Sequence, residues 1–331
     1  MTYYLISGFD NLDLTKNKNH LYQSLLPSMR TWLSSVPYHR RFVIYGSTRS
    51  SDNIIPRDVL LSYGCVATHT HHELVCYNST MFQFTALISN CHDEGHIGTN
   101  GFGNHECCKY DHAMNHAMNQ DQDWVYIGDD DMFIDIRRML KFLDTQNPRR
   151  DRVILSSDDQ FPYNYHWAKG IAKYNYFIPQ GFYYTVMSNA AVHTMRSAIQ
   201  RKTLSKVCNV TNMAYDTAVG LLGFYHDVTF LRMCEQTLQV SLDWNPSEFD
   251  ARISEAVSDK NAMIFYHNVK NHMCTKPENR NCMALYNSLQ GHIDDSHWTP
   301  HFSTAPAKKI DVKSKKVVSE LPIVDDQSPQ W

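Results

Sequence analysis

Short apolar runs alternate with amphipathic stretches along this chain, in the order expected of an α/β protein. Residues 3–7 (Tyr-Tyr-Leu-Ile-Ser) predict a first strand stopped by Gly8. From His20 to Val36 the apolar side chains Leu21, Leu25, Met29, Trp32 and Leu33 recur at the spacing of one helix face. Arg41 to Tyr45 reads as a second strand ended by Gly46, and strand, helix, strand is the pattern of a parallel unit. A short strand is expected around Cys65 to Thr68, and a helix over the apolar run Phe82 to Ile88. After a glycine- and histidine-rich loop, His92 to His105, Cys107 to Asn119 returns to helical spacing with Tyr110, Met114, Ala117 and Met118 on one face. Further strands are expected at Val153 to Ser156, Tyr174 to Ile178 and Met263 to Tyr266. Helices are expected at Ile136 to Leu143 and from Asp216 to Leu222, and Gly181 to Ala198 passes from strand to helix. Beyond residue 300 the lysine-rich, polar sequence predicts a loosely attached tail.

One run differs from the rest. Trp124 to Ile127 is apolar at every position, and Gly128 and three aspartates, Asp129, Asp130 and Asp131, follow at once. Met132 to Ile134 closes behind them. Apolar segments on both sides hold the acids at the end of a buried strand. Adjacent carboxylates repel, so a protein that fixes them together usually supplies a cation, and oxygen ligands suit magnesium, manganese or calcium. Such an ion commonly neutralises a departing diphosphate. Asp129 and Asp131 need not act alike, since one can bind the cation while the other orients the hydroxyls of a nucleotide. His267, at the end of the last predicted strand, would add an imidazole, which manganese accepts. A solvated acidic turn and a structural histidine are the plainer alternatives.

Composition narrows the class. With 331 residues, 43% of them hydrophobic and 20% charged, the chain has material for a large core. A formal charge of −3 gives no basic footprint for nucleic acid. No run is long and apolar enough to form a transmembrane segment, so the chain is expected to be cytoplasmic if Met1 is the native start, or to follow a removed anchor. Nine cysteines and the sequons at Asn78 and Asn209 favour an oxidising, secretory route, with Cys274 and Cys282 placed to close a loop.

Rival sites carry less. His112 and His116 have the spacing of a zinc pair on a helix, but lie opposite the apolar face and lack the glutamate of a His-Glu-x-x-His motif. A solvated helix face is the expectation. The histidines at 69, 71, 72, 92 and 96 read as polar surface, and Asp158-Asp159 as a loop near a cleft. The aromatic residues Phe161, Tyr163, Tyr165, Trp167 and Tyr174 to Phe177 suit either sugar stacking or core packing.

An ordered series of these features resembles the Fringe-type glycosyltransferases of family 31. Thr31-Trp32 ahead of the strand Arg41 to Tyr45 is similar to the family's second unit. Cys107-Cys108-Lys109, Trp124 and the triple aspartate resemble its Cys-Lys helix, Trp strand and acidic motif. Asp216-x-x-Val219-Gly220 and Phe265-Tyr266-His267 look like its later acidic helix start and Phe-His element. The resemblance implies a GT-A fold, an α/β architecture with a mixed, mostly parallel sheet. It implies one catalytic domain over residues 1–300, with a nucleotide-sugar half (1–135) and an acceptor half (136–300). It implies a UDP-sugar donor contacted by Asp129, Asp130, Lys109 and Gly181, and Mn2+ (or Mg2+) held by Asp129, Asp131 and His267. It also implies inverting transfer to a glycan or glycoprotein acceptor, with Asp216 as the base, in the Golgi or secretory lumen. Two departures stand out. Tyr215 replaces a second acid before Asp216, and Gly181-Phe182-Tyr183-Tyr184 replaces a small, glycine-rich loop. A zinc hydrolase built on the histidine pairs and a non-catalytic, lectin-like member of the fold are the competing expectations.

Overall fold

The computed structural model describes residues 1–7, 25–46, 56–62, 64–69, 73–78, 82–91, 104–130, 132–156, 160–163, 174–179, 184–211, 215–232, 237–239, 247–248, 251–252, 265–267, 303–304, 308–311 and 317–320. Its strands are β1 (Thr2–Ile6), β2 (Arg41–Tyr45), β3 (Val66–Ala67), β4 (Glu73–Asn78), β5 (Phe82–Ile88), β6 (Trp124–Asp129), β7 (Phe133–Ile134), β8 (Val153–Ser156), β9 (Gln160–Tyr163), β10 (Tyr174–Pro179), β11 (Tyr184–Ser188), β12 (Thr229–Arg232), β13 (Thr237–Gln239), β14 (Phe265–His267), β15 (Ser303–Thr304), β16 (Lys308–Asp311) and β17 (Val317–Glu320). Its helices are α1 (Leu26–Arg30), α2 (Pro56–Ser62), α3 (Asn104–Met118), α4 (Ile136–Leu143), α5 (Asn189–Thr194), α6 (Arg196–Gln200), α7 (Thr203–Thr211) and α8 (Tyr215–Tyr225).

A large mixed sheet dominates, in the order β15-β12-β8-β11-β6-β1-β2-β5-β4-β3. The expected mixed α/β architecture forms, but the sheet is not mostly parallel: four of its pairings among the described residues are parallel and five antiparallel. β6 lies in the middle, parallel to β1 and antiparallel to β11. Covered on both faces, it can be apolar at every position, which is why its sequence shows no alternation. Tyr126 points into one core with Tyr3, Trp32, Met139 and Phe142. Val125 and Ile127 point into the other, with Tyr4, Tyr110, Met114 and Val219.

Three further expectations change. Phe82–Ile88 is a strand, not a helix, because it fits between β2 in parallel register and β4 in antiparallel register. Gln83 and Thr85 alternate with Phe82, Phe84 and Ala86, a period-2 strand signal that a reading of the run as simply apolar passes over. The helix expected over His20 to Val36 is confined, in the described residues, to Leu26–Arg30, after which residues 31–35 turn. The stretch beyond residue 300, expected to be a tail, contributes strands: β15 pairs with β12, and β16 with β10. Backbone pairing needs no apolar side chains, so a lysine-rich segment can still complete a sheet edge.

Helix α3 is fastened to its surroundings by covalent and polar links. Cys107 is bonded to Cys208 in α7 and Cys108 to Cys91, while a third disulfide joins Cys65 to Cys76. The expected Cys274–Cys282 pair lies outside the described residues. One turn after the cysteines, Asp111 caps α7 from another helix, its Oδ2 accepting from the Ser205 amide at 2.8 Å and from the Ser205 hydroxyl. Lys202, just ahead of α7, has a φ of 52° and no capping oxygen, so the cap is supplied in three dimensions. Burial raises the Asp111 carboxyl to about 6, so its charged form is held at some cost near neutral pH. Asp111→Ala should therefore lower stability at pH 7 by about 1–2 kcal/mol, read by denaturant melts, through loss of the cap. Asp111→Asn, neutral and of the same shape, should stay close to wild type.

Candidate functional site

The end of β6 builds the site. Residues Thr2 to Ile6 of β1 run parallel with Val125 to Asp129 of β6, so both strands end at the same edge, Ile6 level with Asp129. Asp129 there is half-buried. Asp130, next along, is 6% exposed, and its Oδ2 accepts a 3.0 Å hydrogen bond from the Ser7 hydroxyl. Behind the turn, β7 enters α4, whose N-cap Asp135 accepts from the Arg138 amide at 3.2 Å and pairs with the Arg138 guanidinium at 3.3 Å. The acidic run is thus held between a buried strand and a capped helix.

The chain passes through Gly128 to reach it, and glycine is required. Tyr184 of β11 sits opposite Gly128 in register. A Cβ added there would meet the Tyr184 Cβ at 2.9 Å and collide with the Tyr126 hydroxyl. Aromatic packing above the strand reaches right to the acidic turn, and only a missing side chain makes room.

A small second sheet, β13-β14-β7, approaches from beyond the turn. Phe265 pairs with Ile134 and Tyr266 with Phe133, antiparallel. His267 follows Tyr266 as β14 runs antiparallel to β7, towards the acidic run that precedes Phe133 in the chain. The segments carrying Asp129 and His267, far apart in sequence, therefore converge. The Asp131 and His267 side chains, like Gly181, lie outside the described residues, and no group of three or more histidine, cysteine or acidic side chains gathers among the described ones. Asp129 at the end of β6 and His267 at the end of β14 are residue types that a manganese site would use.

Lys109 is placed differently from the expectation of a donor contact. It is 1% exposed, and its Nζ donates to the Ser7 carbonyl oxygen at 2.9 Å. Its place is beneath the acidic turn. Ser7 itself went unnoticed in the sequence; the one available signal was a polar residue at the end of an apolar first strand, just before a glycine.

Asp216 is the second residue of α8, inside its first turn. Tyr215, which stands in place of an acid, is 4% exposed and stacks on Tyr110 with ring centroids 4.8 Å apart. Tyr110 in turn donates to the Ile127 carbonyl of β6 at 3.0 Å and touches Thr185. The tyrosine therefore ties the start of α8 to the strand that carries the acids, where a carboxylate would be buried without reason.

The histidine pair does not form a solvated face. His116 is half-buried, its Nδ1 2.9 Å from the Tyr4 hydroxyl and its ring packed on Phe42 with centroids 4.7 Å apart. Burial, with a smaller push from His112, lowers its imidazole to about 4. Its ring is committed to the core, which argues against a zinc pair. Asp158-Asp159 and the histidines at 71, 72, 92 and 96 lie outside the described residues.

The profile of the Fringe-like family matches residues 83–273 of the chain. No curated protein matches it in sequence. Among solved structures, mouse xyloside xylosyltransferase 1 in its apo form is similar at 9% identity and a TM-score of 0.39, over 80% of this chain and 96% of that one. The galactosyltransferase LgtC, solved with donor and acceptor sugar analogues, is similar at 12% identity and a TM-score of 0.38, over 91% and 98% of the two chains. The glycosyltransferase GlyE of Streptococcus pneumoniae TIGR4, also apo, is similar at 10% identity and a TM-score of 0.38, over 87% and 60%.

Two outcomes are expected from this geometry. Gly128→Ala should destabilise the fold by about 1–3 kcal/mol in denaturant melts, because the strand must shift to admit a methyl. His116 is neutral when folded, with an imidazole at about 4 against 6.5 in a free chain. Its contribution is therefore complete above pH 6.5 and lost as the pH falls towards 4. Melting temperatures at about pH 7 and about pH 5 should differ less for His116→Phe than for wild type.

Proposed function

Because the chain belongs to the Fringe-like family, we propose that it is a metal-dependent, inverting glycosyltransferase. It would move a hexose or N-acetylhexosamine from a UDP-sugar to a hydroxyl of a glycan or glycoprotein. One observation carries the reading: β14, which ends in His267, pairs with β7 directly behind the acidic run. Asp129, Asp131 and His267 would hold the cation, whose charge would offset that of the diphosphate as it departs. Gly128, which admits no side chain, keeps the backbone next to the acids in close contact with its neighbours.

Asp216 would act as the base. The acceptor hydroxyl attacks the anomeric carbon on the face opposite UDP, the bond from that carbon to the phosphate oxygen breaks, and the hydroxyl proton passes to the Asp216 carboxylate. Inversion follows from attack opposite the leaving group. The tie from Tyr215 through Tyr110 to β6 supports this assignment, since it fixes the start of α8 against the metal-bearing strand. Gly181 and the aromatic residues after it would shape the donor-sugar pocket. Three disulfides among the described residues support a secretory lumen as the place of work.

The test is a screen of UDP-sugars with Mn2+, read as UDP release and as product on glycan acceptors. Asp131→Ala should abolish metal-dependent turnover and weaken Mn2+ binding. Asp216→Asn should lower kcat by about 10²–10⁴-fold while UDP and Mn2+ still bind. Wild-type protein that binds UDP and Mn2+ but turns over no donor would favour the lectin-like reading, and an Asp131→Ala protein with full activity would refute the metal assignment.

A further inference from the structure

The middle aspartate of the triple run does not face a ligand in the way its neighbours are proposed to. Asp130 is 6% exposed and takes a hydrogen bond from Ser7, itself 2% exposed. Ser7 uses its other polar atoms as well. Its amide donates to the Ile44 carbonyl at 3.2 Å, extending the β1–β2 ladder by one rung. Its carbonyl accepts from Lys109 Nζ at 2.9 Å. One small residue thereby connects β1, β2, α3 and the acidic turn, and the side chains of Ser7, Lys109 and Asp130 are all buried there.

We infer that Ser7 is a positioning residue for the metal and donor site, holding Asp130 inward and leaving the half-buried Asp129 as the described carboxylate available to the cation. The inference rests on the metal-site reading above and adds to it the residue that sets the turn. Three reasons support it. The Ser7 hydroxyl is a buried donor to the Asp130 carboxylate, so losing it would weaken the hold that keeps Asp130 from turning towards the ion. The parallel register, with Ile6 level with Asp129, brings Ser7 level with Asp130, so the bond needs no long or flexible side chain. Lys109 follows directly after two disulfide-bonded cysteines, which prevents the lysine from moving away with the start of its helix.

The full chain carrying Ser7→Ala or Ser7→Thr tests this. Threonine keeps the hydroxyl and alanine removes it. Three quantities are measured: amide hydrogen exchange of peptides covering residues 124–134, Mn2+ affinity by electron paramagnetic resonance with UDP present, and kcat and KM for the donor. Ser7→Ala should speed exchange in that segment by about fivefold, the effect of one lost hydrogen bond. It should weaken Mn2+ binding by about tenfold or more, as removal of a supporting partner does, and raise the donor KM more than it lowers kcat. Ser7→Thr should restore all three. The inference is overturned if Ser7→Ala exchanges and binds Mn2+ like wild type, if Ser7→Thr fails to rescue, or if exchange rises equally across the whole chain. Wild-type protein that binds no Mn2+ would overturn the metal-site reading instead, and a local rise in exchange would still establish that Ser7 holds the turn.

Discussion

Asp130 is a carboxylate in the interior, and much of the surrounding structure follows from keeping it there. A buried acid needs donors fixed in advance, since water cannot reach it to compensate. Ser7 is such a donor, and it is in place only because β1 and β6 run parallel and end together. Burial of β6 on both faces depends in turn on two separate cores, one with Trp32 and α4, the other with α3 and α8. The strand before the acidic turn and the capped helix after it are each packed into these cores.

Helix α3 serves that arrangement along its whole length. Near its start the two disulfides fix the turn that bears Lys109. Tyr110 reaches the Ile127 carbonyl on β6, Asp111 caps α7, and His116 near its end packs on Phe42 and meets the Tyr4 hydroxyl. Its polar residues thus point to specific partners on several sides. Histidines and aspartates that look like a solvated face in a helical projection are used as connectors, because α3 is surrounded by other helices as well as by the sheet.

The Tyr215 departure has the same explanation. A residue that would be expected to be acidic sits in an aromatic stack against Tyr110, where a tyrosine gains packing and a carboxylate would lose hydration. What looks like damage to a catalytic motif is, at this position, a structural tie that leaves Asp216 in the first turn of α8.

The sequence alone determined the strand–acid–strand run at 124–134, a helix over 107–119 that forms at 104–118, the mixed α/β class and the family. These rest on local signals: an apolar run, a glycine, three carboxylates and a helical period. It could not determine that the residues beyond 300 would pair with β10 and β12, or that Ser7 and Lys109 would meet beneath Asp130. Those outcomes depend on partners far away along the chain. A hydrogen bond between residues 7 and 130 leaves no periodic trace in a sequence, because which buried donor serves which buried acid is settled only when the strands align.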